Sequence, residues 1–190
     1  MKLGIYGGSF DPVHLGHLLV AQAAMEELEL DRLFFVPAAQ SPFKPEQNLV
    51  PAAVRLQLLR LALAGKTNCE LEDQEILRGG ISYTIETLRH YMKRFPDAEL
   101  FYLIGADNVA KLNDWREAGE LARLAEFVAV PRPGNAAPVF PTPFRGRVLR
   151  GFPFAVSSSE IRARIKAGLP VENLVPSAVA ETIWTAKLYR

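Results

Sequence analysis

Apolar and polar positions fall in blocks along this chain, and the blocks switch between the lengths of buried strands and those of one-sided helices. Lys2-Leu3-Gly4-Ile5-Tyr6 is a short apolar run and predicts a buried strand. Leu15, Leu18, Leu19, Met25 and Leu28 follow at a spacing that predicts a helix with one apolar stripe. Arg32–Pro37 reads as a second buried strand closed by proline. A helix over about Pro51–Ala64 carries Val54, Leu58 and Leu61 on one face, with Pro51 suited to its first turn. Cys69–Leu71 could form a third strand. Ser82-Tyr83-Thr84 are plausible capping residues for a helix bearing Ile85, Leu88, Met92 and Phe95.

Leu100–Ile104 is the clearest strand and ends in Gly105-Ala106-Asp107-Asn108. Trp115 falls in a short helical region, a helix runs through Leu121 and Leu124, and Glu126–Val130 is a fifth strand. Five prolines between Pro131 and Pro143 predict a long loop. Arg147–Leu149 is a candidate sixth strand. Ser157 and Glu160 have the spacing of a capping box opening a helix that Gly168 ends, and a last helix spans about Ser177 to Leu188. Strands alternating with helices predict an α/β fold: one doubly wound parallel sheet of five to six strands, with helices on both faces. No repeat or linker divides the chain, so residues 1–190 are expected to form a single domain.

Composition narrows the function. A net charge of +1 argues against general binding to nucleic acid or to an anionic membrane, although Arg145–Lys166 holds six basic residues and one acid, Glu160. Cys69 is the only cysteine, so no disulfide within the chain and no cysteine metal cluster is expected. No signal peptide and no apolar run near the ~20 residues of a membrane helix are evident, which predicts a soluble, cytoplasmic protein. A homo-oligomer remains open.

Several chemistries lose support. Gly65-Lys66-Thr67 ends like a P-loop, but Arg60 stands where the upstream glycine belongs. No G-x-G-x-x-G marks the first turn, Cys69 reads as packing, and His90 reads as a solvated side chain among Arg89, Lys93 and Arg94. What stands out is Gly7–His17, which packs two of the three histidines into one strand-to-helix turn. Such a turn lies where parallel sheets bind ligands, and a helix N-terminus suits phosphate. Ser158, Ser159 and Arg162 at a second helix start, with Lys44 in a loop, also suit phosphates.

Gly7-Gly8-Ser9-Phe10-Asp11-Pro12-Val13-His14-Leu15-Gly16-His17 resembles the H-x-G-H signature of the nucleotidyltransferase superfamily, and Ser157–Arg162 resembles its S-S-T-x-I-R partner. Ser82-Tyr83-Thr84 with Thr87-Leu88, Ile104–Asp107, Trp115 and Arg132-Pro133-Gly134 make the chain most similar to the bacterial nicotinate-nucleotide adenylyltransferase family, over its whole length. Two positions depart: Ser159 replaces a threonine and keeps the hydroxyl, and Ser41-Pro42-Phe43-Lys44 stands where P-P-H-K is usual.

The resemblance implies a Rossmann-like fold and transfer of AMP from ATP to nicotinate mononucleotide, with Mg²⁺ bound through the ATP phosphates and no protein side chain holding it. It implies that Gly7, Gly8, Ser9 and Phe10 bind ATP, that His14 and His17 meet its phosphates, and that His17 donates to the α-phosphate. Ser158, Ser159 and Arg162 would hold the β and γ phosphates, while Gly105 and Asp107 line the nucleotide pocket. Lys44 would serve catalysis and acceptor binding; Ser82, Tyr83, Thr84, Trp115 and Arg132 would hold the acceptor, with a core role for Trp115 as the alternative. A phosphate monoester is mostly ionised at pH 7, its second pKa being ~6, so direct attack needs no general base and no covalent intermediate. Rival readings are an adenylyltransferase for nicotinamide mononucleotide or phosphopantetheine, a nucleotide sensor, and RNA-linked aminoacylation.

Overall fold

The computed structural model describes residues 1–42, 49–131 and 136–190. Its strands are β1 (Lys2–Gly8), β2 (Arg32–Pro37), β3 (Cys69–Leu71), β4 (Glu99–Gly105), β5 (Glu126–Val130) and β6 (Gly146–Val148). All pair in parallel in the order β3-β2-β1-β4-β5-β6. The chain runs outward from β1 to β3, then returns to β4 on the other side of β1. That reversal leaves a crevice at the carboxyl ends of β1 and β4, where open α/β sheets bind ligands.

The period-2 pattern of the strands sorts side chains onto two apolar layers. Leu33, Phe35, Phe101, Leu103 and Val128 face α1 (Leu15–Glu27), α2 (Ala52–Leu63), α6 (Ser158–Lys166) and α7 (Ser177–Thr185). Phe34, Leu100, Tyr102, Ile104 and Phe127 face α4 (Thr84–Arg94), a 3-10 segment (Ala106–Asp114) and α5 (Ala118–Leu124). The Rossmann-like doubly wound sheet is therefore present, with six strands and helices on both faces. Among the described residues no helix is long and apolar enough to cross a membrane.

Three expectations shift. The short helix α3 (Gln74–Arg78) is additional, because five residues are too few for a visible period. In α1 it is Ala21, Ala23 and Ala24 that are buried, while Leu15 and Leu19 are half-exposed; small residues let the helix lie close to the sheet. Gly7 and Gly8 lie within β1 and do not form a tight turn. A Cβ on Gly7 would sit 2.5 Å from the Tyr102 hydroxyl, so close approach requires the glycine.

Candidate active site

The turn after β1 delivers both histidines to the start of α1. His14 is extended at the N-cap and His17 is the third helical residue, yet their rings stack with centroids 3.7 Å apart. Gly16 makes room for this, since a Cβ there would lie 2.9 Å from Nδ1 of His14. The backbone N–H of His14 donates to Nδ1 of His17 at 3.2 Å. With Nδ1 accepting, the proton of a neutral His17 resides on Nε2, which is then a donor. Burial lowers the pKa of His14 to about 4, and burial together with His14 holds that of His17 well below the usual histidine value. Both rings are thus neutral at pH 7.

Phe10 supports this pair from beneath. Its ring is 2% exposed and packs against His17 at 4.9 Å, Tyr6 at 5.5 Å and Phe35 at 5.5 Å. The ring is core, and its left-handed backbone (φ 48°) is held by that packing.

Distant elements staple the turn. Arg55, almost fully buried on α2, donates from Nη1 to the Ser9 carbonyl at 2.9 Å. On α6, Arg162 Nη1 donates to the Asp11 carbonyl at 2.6 Å, and Ser158 Oγ donates to the Pro12 carbonyl at 2.9 Å. Arg162 Nη2 also donates to Ser159 Oγ at 3.3 Å. Asp11, 1% exposed, accepts the Tyr189 hydroxyl on Oδ1 at 2.8 Å. The two expected phosphate elements, 140 residues apart, therefore meet on one turn. At the start of α6, Ser157 Oγ accepts Glu160 N–H, as its capping spacing predicts.

Beside the turn, a cleft of ≈ 240 Å³ opens between the ends of β1 and β4. Gly7, Gly8, Ser9, Gly105, Ser82, Thr84 and Trp115 line it. Trp115 is half-buried, edge-on to Tyr102 at 6.4 Å and to Phe127 at 6.1 Å, so it is at once a core ring and a cleft wall. Thr84 Oγ1 donates to the Tyr102 hydroxyl at 3.3 Å.

Other expected residues fall elsewhere. Tyr83 caps α4 outside the cleft lining, beneath the Arg116 guanidinium at 4.7 Å. Asp107 is exposed in the first turn of the 3-10 segment, and its neighbour Asn108 lines the cleft. Lys44 and Arg132 lie outside the described residues. Sequence reasoning missed Arg55, Glu75, Tyr102, Asn108 and Tyr189 as parts of the site; no local pattern singles out Arg55, Glu75 or Tyr189. Cys69 is half-buried against the core and burial raises its thiol pKa, while His90 is exposed, both as expected.

The cytidylyltransferase-like family model matches residues 5–164. A probable nicotinate-nucleotide adenylyltransferase from Opitutus terrae is 42% identical over 199 residues, covering 100% of this chain and 98% of the relative. The chain belongs to the nicotinate-nucleotide adenylyltransferase family. A second member of that family, from Dehalococcoides mccartyi, is 39% identical and covers 100% of this chain and 97% of its own length. The fold is shared with the nicotinic acid mononucleotide adenylyltransferase of Plasmodium falciparum, solved in complex with NaAD, at a TM-score of 0.80 and 18% identity; the match covers 99% of this chain and 97% of that one.

Proposed function

We propose that this member of the nicotinate-nucleotide adenylyltransferase family transfers AMP from ATP to nicotinate mononucleotide, releasing pyrophosphate and forming nicotinate adenine dinucleotide for NAD biosynthesis. The observation that carries the reading is the shared turn: the His14/His17 start of α1 and the Ser158/Ser159/Arg162 start of α6 both close on residues 9–12, next to a cleft.

The chemistry is positioning and charge stabilisation. The acceptor phosphate is already ionised and attacks the α-phosphorus directly; the bond to the pyrophosphate oxygen breaks as the new P–O bond forms. Neutral His17 offers Nε2–H to the α-phosphate oxygens as charge builds on them. The positive dipole ends of α1 and α6 favour anions there, and Ser158, Ser159 and Arg162 take the leaving β and γ phosphates. The cleft holds the pyridine ring against Trp115, near Ser82 and Thr84. Lys44 and Arg132 belong to the same proposal, for the acceptor.

Among the described residues no group of three or more His, Cys, Asp or Glu is arranged for a metal ion. Imidazoles, hydroxyls and a guanidinium are not the oxygen donor set that Mg²⁺ prefers, and the Asp11 carboxylate is buried under Tyr189. These residues do not fit a protein-borne magnesium site; the ion is proposed to arrive on ATP.

Pyrophosphate release with ATP and each of nicotinate mononucleotide, nicotinamide mononucleotide and phosphopantetheine tests the reading. Turnover on the first above the other two is expected. Turnover on phosphopantetheine alone would overturn the acceptor, and none on any would overturn the activity.

A further inference from the structure

One buried acid in the cleft wall has no part in the transfer just described. Glu75, on α3, is 4% exposed and lines the cleft with Ser82, Thr84 and Tyr102. Its Oε1 accepts the hydroxyl of Thr87, a fully buried residue one turn into α4. Ser82 is its second hydroxyl partner. Ser82 Oγ in turn accepts the N–H of Ala39 at 2.9 Å, and the N–H of Ser82 donates to the Gln40 carbonyl at 2.9 Å. Ala38 N–H closes the chain of bonds onto the Gly8 carbonyl at 2.9 Å, at the end of β1.

These contacts form one continuous path from the phosphate turn to the first turn of α4. Glu75 is its hub, because among the described residues its carboxylate joins Ser82 to Thr87. A helix of eleven residues that starts at Thr84 has free N–H groups in its first turn, so its placement decides where an anionic group on the acceptor ring can be held. A buried carboxyl is costly unless hydrogen-bonded, and burial raises its pKa while the Thr87 and Ser82 hydroxyls and Arg78 oppose the rise. That cost is tolerated where the group fixes geometry.

We propose that Glu75 is a positioning residue for the acceptor: through Ser82 and Thr87 it sets the start of α4 against the end of β1, and so fixes the seat of the pyridine carboxylate. The inference rests on the adenylyl transfer proposed above.

Steady-state kinetics with both substrates varied, on wild type, Glu75→Ala, Glu75→Gln and Ser82→Ala, tests it. The expected result for Glu75→Ala is a KM for nicotinate mononucleotide raised about tenfold, as for one lost charged hydrogen-bond hub, with KM for ATP changed less than about twofold. Glu75→Gln should recover part of the loss, because its amide oxygen still accepts a hydroxyl, and Ser82→Ala should shift the same constant. An unchanged acceptor KM in Glu75→Ala, or equal rises in both KM values, would overturn the proposal. If Glu75→Ala fails to fold, Glu75→Gln is judged by the same split in KM. A wild-type enzyme inactive on nicotinate mononucleotide would sink the proposed function instead.

Discussion

The N–H of His14 and Nδ1 of His17 share a 3.2 Å hydrogen bond, and this bond leaves Nε2 of His17 as the donor of the stacked pair. The family signature thus has a physical reading: His14 sets the tautomer of His17, and Gly16 admits the His14 ring.

Removing that donor should cost about 3–4 kcal/mol of transition-state stabilisation, or two to three decades in kcat. His17→Ala is expected to show this loss while its circular dichroism stays native. Near-normal turnover in that variant would refute the role.

Acid should weaken the fold. Both folded-state pKa values lie below the unfolded value of about 6.5, so below that pH the unfolded chain takes up protons that the native state refuses. Stability present at neutral pH is therefore lost progressively from about pH 6.5 down to about 4, where folded His14 titrates. Each histidine adds at most about 1.4 kcal/mol per pH unit to that slope. Urea unfolding between pH 7 and pH 5 should show a shallower decline in His14→Gln than in wild type; parallel lines would exclude the account.

Tyr189→Phe removes the one hydroxyl that Asp11 Oδ1 accepts. Leaving a buried acceptor bare costs about 1–3 kcal/mol, which in a domain of this size lowers Tm by several degrees. The expected kinetic companion is a raised KM for ATP with an unchanged KM for the acceptor. A variant that melts and binds ATP like wild type would show that the contact is incidental.

Gly7→Ala should place a methyl 2.5 Å from the Tyr102 hydroxyl and destabilise the protein. Adding Tyr102→Phe removes the clashing oxygen, leaving the next ring atom at 3.3 Å, and should restore much of the lost Tm. Failure of the second change to rescue the first would mean that Gly7 is needed for another reason.

The sheet was legible because β1, β2, β4 and β5 are short apolar runs closed by glycine or proline, and β2, β3 and β5 have the expected limits. The phosphate elements were legible because their residue types are local: two histidines in one turn, two serines and an arginine at one helix start. The supports were not. Arg55 sits in a helix that is apolar on most sides, so the period could not choose which stripe meets the sheet; the buried set there is Arg55, Leu56, Leu58, Leu59, Ala62 and Leu63, and of the expected Val54–Leu58–Leu61 face Val54 and Leu61 are only partly buried. Glu75 and Tyr189 act through partners far away in sequence, a pairing that no local pattern encodes.

The bond between Tyr189 and Asp11 spans 178 positions of the chain. During synthesis the turn after β1 leaves the ribosome early, while its clasp is added only after those intervening residues. At ordinary bacterial to eukaryotic rates of ~5–20 residues per second, that is a wait of roughly ten to forty seconds. A nascent chain can therefore pair β1 with β2 well before the bond that clasps Asp11 exists, and the turn after β1 is completed last.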